Sequence, residues 1–210
     1  VINSVLALGF DSTKFSWSEI SPITIEHKKF GKESIDEVNK SIDAGISVLG
    51  IYLGHDIVAA ASLIGAYLTI DAASLLGKSS AGADDQWVKD VASLRDQLRT
   101  TRTLKAEASE ILKTTFGEDG IFALNALHVA TERKTRIILV GPGAIALGFV
   151  ANRGNSSIKD YLLIANTPVI PALNEAIKHL SSPVIMNSKE NTYPLAELAL
   201  AVSALKVSEL

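Results

Sequence analysis

From residue 35 onward, apolar side chains recur at three- and four-residue steps. Ile35, Val38, Ile42, Ile46 and Leu49 share one stripe, with Lys32, Glu33, Asp36, Glu37, Lys40 and Asp43 largely off it. The pattern predicts an amphipathic helix, and Ser34-Ile-Asp-Glu37 has the capping-box spacing that would start it. Past Asp43 the polar face vanishes. Between Ala44 and Ile70 the only titratable side chains are Tyr52, His55, Asp56 and Tyr67, and Gly45, Gly50, Gly54 and Gly65 are spread through the stretch. Such a segment is covered on all sides. Asp56 can cap a second helix through Ile57, Ala60, Ala61, Ile64 and Leu68 toward Gly77, where a glycine supplies a stop. Residues 46–53 also read as a short buried strand, because an apolar run of that length carries no decisive period.

Lys78–Asp84 is a loop by composition and the best internal boundary in a chain that otherwise reads as a single domain over residues 1–210. Val91, Leu94 and Leu98 then mark one helical stripe and Leu104, Ala108 and Ile111 a second, out of phase with it. Asp119 can cap a further helix carrying Ile121, Leu124 and Leu127. Arg136–Gly148 contains an apolar run broken at Gly141-Pro142-Gly143. Thr167-Pro168 has the start signature of a helix to Leu180, and a last helix is expected from Pro194 with Leu195, Leu198, Val202 and Leu205 on one face. Near the N-terminus, the Ser4–Phe10 run and the alternation over Pro22–His27 suggest a small hairpin.

Taken together these elements favour a mainly α fold, a helical bundle around a buried Gly/Ala-rich central helix with a small β element near the N-terminus. The alternative is α/β, with a short parallel sheet built from residues 46–53, 137–141, 161–165 and 183–187. The eight residues 46–53 decide between the two.

Composition adds a constraint on partners. A mean hydropathy of +0.25 with 47% apolar residues is high for a soluble monomer, so apolar surface is expected to end against another copy, making a homo-oligomer the favoured state. The net charge of -3 argues against nucleic-acid binding through a basic whole-body field. The absence of cysteine excludes disulfides, thiolate catalysis and cysteine-ligated metal centres, and leaves the compartment open. Val1–Phe10 lacks the basic start and cleavage site of a signal peptide. Ala44–Ile70 is long enough to cross a bilayer, but His55 and Asp56 near its middle make a buried soluble segment the better reading.

Few residues suggest chemistry. Gly141-Pro-Gly143-Ala-Ile-Ala146 after an apolar run resembles, locally, the Gly-x-Gly-x-x-Gly/Ala loop that brings backbone N–H groups to a phosphate at a helix start. Pro142 removes one such N–H, and a glycine break that lets two elements pack closely is the favoured explanation. Arg95, Arg99 and Arg102 line one side of a helix, and Arg133, Lys134 and Arg136 form a second basic cluster. Facing each other, the two would hold phosphates in a groove, although a solvated, salt-bridged face is the simpler reading. His55 reads as a turn residue beside a capping Asp56, with a catalytic histidine as the minority reading. His128 and Glu132, one helical turn apart, supply at most two metal ligands, which do not make a site. No catalytic constellation, cofactor or metal is expected.

The leading functional expectation is therefore a non-enzymatic, self-assembling structural subunit of coat or nucleocapsid type, its arginine stripe compatible with nucleic acid. The second is an α/β enzyme or binding protein that holds a phosphorylated small molecule at Gly141–Ala146, with Asn166, Thr167 and Asn187 at neighbouring strand ends. The third is a helical membrane-inserting, pore-forming protein, the least favoured for the charges at His55 and Asp56.

Overall fold

The computed structural model describes residues 6–7, 9–10, 23–24, 32–78, 84–166, 170–187, 197–202 and 204. It overturns the helical bundle. Residues 46–53, the deciding stretch, contain strand β4 (Val48–Tyr52), which lies beside β5 (Arg136–Val140), β6 (Leu162–Asn166) and β7 (Val184–Met186) in the order β4-β5-β6-β7, all parallel. The four segments of the alternative sheet are the ones that pair. Two-residue strands precede them: β1 (Leu6–Ala7) runs antiparallel to β3 (Ile23–Thr24), and β2 (Gly9–Phe10) joins the main sheet antiparallel to β4.

The physical reason for the correction is burial on both faces. Leu49, Ile51 and Leu53 point into the main core with Ile137 and Leu139, whereas Ile138, Val140 and Ala165 form a second cluster with Leu198, Ala201 and Val202. A strand covered on both sides loses the period-two signature and reads as a uniform apolar run. Gly50 adds to the disguise. A Cβ there would lie 2.4 Å from a methyl group of Leu198, so the helical turn at residues 197–202 sits directly on β4.

Helices supply the rest: α1 (Lys32–Asp43), α2 (Ile57–Tyr67), α3 (Ala72–Leu76), α4 (Asp84–Leu104), α5 (Ala108–Phe116), α6 (Glu118–Glu132), α7 (Gly141–Gly154) and α8 (Pro171–Leu180). α1 starts at Lys32, before Ser34, and the side chains of Ser34 and Glu37 lie outside the described residues. The two out-of-phase stripes belong to two helices, α4 and α5, and the N-cap of α6 is Gly117, with Asp119 already inside the helix. Asp56 does cap α2, its Oδ1 accepting from the Val58 and Ala59 N–H groups at 2.9 Å each. Most of the Lys78–Asp84 loop, the Thr167-Pro168 start and the Pro194 start lie outside the described residues.

Successive parallel strands added in one direction, each joined by a right-handed crossover, put the connecting helices on one face. α2, α7 and α8 accordingly pack against one another over the main core. The same topology gathers the carboxyl ends of the four parallel strands β4, β5, β6 and β7, and the first turn of α2, α7 and α8, along one edge of the sheet.

Candidate active site

In open α/β sheets, ligands bind in the crevice outside the carboxyl ends of the strands, where backbone N–H groups of the following helices are free. Here that edge is built from Tyr52, Gly54 and His55 after β4, Gly141–Ala144 after β5, Asn166 at the end of β6 and Asn187 after β7.

The β5–α7 junction is the tightest part. Gly141 holds φ +78°, a conformation open to glycine, and turns the chain from strand into helix with no intervening loop. A Cβ on Gly143 would stand 1.6 Å from the Leu53 carbonyl oxygen, so the first turn of α7 is pressed against the end of β4 as only glycine permits. Val140, at the N-cap of α7, has no side-chain acceptor, and Pro142 has no N–H; the Gly143 amide is therefore a donor that the helix leaves free in that first turn. α8 begins the same way, with Ile170 as N-cap and Pro171 behind it. α2 differs, because the Asp56 carboxylate already occupies its N-terminus.

Tyr52 and His55 stand over this junction. The Tyr52 ring lies 3.2 Å from the Cβ position of Gly141, and the His55 ring meets it edge-on at 5.0 Å between centroids. Burial raises the Tyr52 hydroxyl above its usual value. His55 is exposed. Asn166 is buried at the end of β6, while Asn187 is exposed; Thr167 lies outside the described residues. Beside α8, Gly77 packs against the Pro171 ring, and an open cleft of about 640 Å³ runs between α3 and α4, where the Trp87 Nε1–H donates to the Gly77 carbonyl at 2.8 Å.

The arginines are found on the exposed surface. Arg95, Arg99 and Arg102 are exposed on α4; Arg99 pairs with Asp96 at 3.2 Å and Arg102 donates to the Ile70 carbonyl at 3.1 Å. Arg133 pairs with Asp43 and Asn39 of α1, and Arg136, with Lys134 just before it, marks the amino end of β5, opposite the crevice. Exposed pairs of this kind contribute little to stability. Gly141, Gly143 and Ala146 do sit together in the first turns of α7, Ala146 fully buried. His128 and Glu132 lie on α6, and among the described residues no group of three or more histidine or acidic side chains is placed to hold a metal. Tyr52 is the site residue that sequence reasoning missed: it gains a position only once residues 48–52 are known to be a strand that ends beside Gly141.

Residues 30–191 match the sequence model of the family described as phosphoribosyltransferase. The chain belongs to the phosphoribosyltransferase family. Two curated relatives, both nicotinate-nucleotide–dimethylbenzimidazole phosphoribosyltransferases, are similar to it. That of Streptomyces avermitilis is 28% identical over 152 residues, covering 71% of this chain and 40% of the relative. That of Streptomyces coelicolor is 27% identical over 146 residues, covering 68% and 41%. The chain thus spans about two fifths of the length of these relatives. Among solved structures, the Thermus thermophilus enzyme of the same name superposes with a TM-score of 0.63 at 15% identity, covering 83% of this chain and 53% of that one. A structure of CobT from the same bacterium gives 0.63 at 14%, covering 83% and 54%. At those identities the likeness concerns the fold, which is α/β with a four-stranded parallel sheet.

Family membership overturns the coat or nucleocapsid expectation, and with it the self-assembly and nucleic-acid readings built on apolar content and the arginine stripe. Among the described residues, no helix is long and apolar enough to cross a membrane.

Proposed function

We propose that this chain supplies the sheet-bearing part of a transferase that moves a phosphoribosyl group from a nicotinate nucleotide to a benzimidazole base, the reaction named for its Streptomyces relatives. The observation carrying the reading is the pair of helix starts, α7 and α8, that open without side-chain acceptors along the carboxyl edge of the sheet within the family-matched region. An anion there meets the Gly143 amide and the positive ends of the helices. In this reading the nucleotide phosphate sits at the first turn of α7 and the ribose lies toward β6 and Asn166. The role proposed for Gly141, Gly143 and Ala146 is to build that turn, with Gly143 close-packed against Leu53.

The chemistry is a substitution at ribose C1′. The bond to the pyridinium nitrogen breaks with its electron pair returning to the nicotinate ring, and a lone pair of the benzimidazole forms the new C–N bond. The test is calorimetric titration of the purified chain with nicotinate mononucleotide, followed by mass-spectrometric detection of free nicotinate and a benzimidazole ribotide on adding dimethylbenzimidazole. Saturable binding and coupled appearance of both products are expected. Absence of both binding and products refutes the reading.

A further inference from the structure

The start of α8 is located from outside the helix. Its N-cap Ile170 and first-turn Pro171 provide no side-chain cap, and the Pro171 ring rests instead on Gly77, the C-cap of α3. The Cβ position of Gly77 lies 2.9 Å from Pro171 Cδ and 3.0 Å from its Cγ, so ring and bare backbone are in direct contact. Gly77 holds φ +81°, a conformation open to glycine.

Two hydrogen bonds hold Gly77 in turn. Its N–H donates to the Ala73 carbonyl at 2.9 Å, closing α3, and its carbonyl accepts from Trp87 Nε1–H of α4 at 2.8 Å. The first bond is internal to α3 and leaves the end of that helix free to move as a body. The second ties this end to α4, a 21-residue helix anchored in the main core by Val91, Leu94 and Leu98. On its open side Gly77 faces the cleft of about 640 Å³ that Lys78, Trp87 and Val88 also line, so the restraint there is the indole bond rather than packed side chains. A chain of contacts thus runs from α4 through Trp87, Gly77 and Pro171 to one of the two helix starts at the carboxyl edge of the sheet.

We propose, resting on the phosphoribosyl reading above, that Trp87 is a positioning residue for the nucleotide: its indole N–H holds Gly77 against Pro171 and so fixes the first turn of α8 at the crevice. Trp87 acts through these two residues rather than by touching the substrate. A contact can bias the helix start by no more than its own net worth, so losing this one neutral hydrogen bond weakens the nucleotide about twofold to tenfold. By reciprocity, a nucleotide that needs the turn in place strengthens the bond between Trp87 and Gly77.

The test measures nicotinate mononucleotide affinity by calorimetry, with thermal melting alongside, for the full chain and two variants. Trp87→Phe keeps an aromatic ring and removes the N–H, whereas Val91→Ala destabilises the same helix from its buried side. The expected result is an affinity loss of about twofold to tenfold in Trp87→Phe and wild-type affinity in Val91→Ala despite its lower melting temperature. In the wild type, the indole N–H resonance that is missing from Trp87→Phe shifts on saturation with the nucleotide. Equal affinity in wild type and Trp87→Phe overturns the proposal and leaves the phosphoribosyl reading intact. An equal loss in Val91→Ala also overturns it, since it assigns the effect to the stability of α4. So does an indole resonance that the bound nucleotide leaves in place, and this readout decides if Trp87→Phe does not fold; its wild-type signal is then assigned by chain-wide labelling. A wild-type chain that does not bind the nucleotide removes the reading and this proposal together.

Discussion

Gly143→Ala is the sharpest test of the α7 junction. The added methyl would stand 1.6 Å from the Leu53 carbonyl oxygen and 2.7 Å from its carbon, both backbone atoms that no rotamer change can move. Reaching even 3.0 Å requires the two segments to separate by about 1.4 Å, judged from the closest separations real Cβ atoms show. Neither side yields easily, because Tyr52 and Val140 are in register in the β4–β5 ladder immediately before the contact. Overpacking of this kind costs about 3 kcal/mol at the upper end of its usual range, and alanine's better helix propensity returns at most about 1 kcal/mol. The net loss of about 2 kcal/mol corresponds to a fall in melting temperature of roughly 4–8 °C for a chain of this size. Gly154→Ala is the paired control. It lies at the other end of the same helix, with nothing within 4 Å of its Cβ position, and should gain about 0.5–1 kcal/mol. Thermal and urea unfolding followed by circular dichroism read both. A Gly143→Ala protein that melts within about 1 °C of wild type, or shifts upward together with Gly154→Ala, refutes the close-packing argument.

Three further outcomes follow from the described contacts. Asp56→Ala removes an acceptor shared by two amides and should lower stability by about 1 kcal/mol at neutral pH, measured by urea denaturation. Hydrogen bonds from the side chain and backbone of Ser74 hold the Asp71 carboxyl below its usual 3.8. The stability it contributes is therefore complete above that value and is lost as pH falls through the lower folded value, so Asp71→Ala should be the less stable protein at pH 7 and converge on wild type in acid. Burial raises Glu197 above its usual 4.5, which reverses the sign. Its protonated form suits the fold, stability falls as pH rises past 4.5 through the higher folded value, and Glu197→Gln should melt above wild type at pH 7 with the gain vanishing below pH 4.5. A Glu197→Gln melting temperature that shows no such pH dependence contradicts the burial argument.

Local signals along the chain were legible where they rest on one residue's chemistry. Asp56 predicts the start of α2 and the structure has it, because a carboxylate beside two free amides is a short-range interaction that tertiary context leaves alone. The break at Gly141-Pro142-Gly143 falls where strand becomes helix. What failed was the continuation of the Ile35–Leu49 stripe through residue 49. Gly45, at φ +100°, turns the chain away just after α1, and the apolar positions beyond it belong to a strand buried on both faces. A run of five residues between two cores has no polar face to report its period. Leu198, more than a hundred residues away in sequence, creates the second face over Gly50.

The site was illegible for the same reason. Sequence spacing exposes functional residues when they share one helix face, as the arginines of α4 do, yet that stripe is a solvated surface with its own local partners. A crevice at the carboxyl ends of parallel strands is assembled from the last residue of each strand, and those positions lie tens of residues apart: Tyr52, Val140, Asn166 and Met186. No spacing rule joins them until strand order is known. Once β4 is placed beside β5, Tyr52 and His55 move from an apolar stretch of unassigned conformation to the rim of the turn into α7, and a glycine that looked like a packing accommodation becomes part of the wall of the proposed site. Close packing and ligand approach are compatible at Gly143. The carbonyl of Leu53 takes the side of the glycine where a Cβ would be, while the amide of the same residue is among those the helix leaves unbonded at its first turn. Gly143→Ala would therefore shift the amide that the proposed phosphate meets, whereas Gly154→Ala leaves it in place. Nucleotide affinity should follow the first substitution and ignore the second.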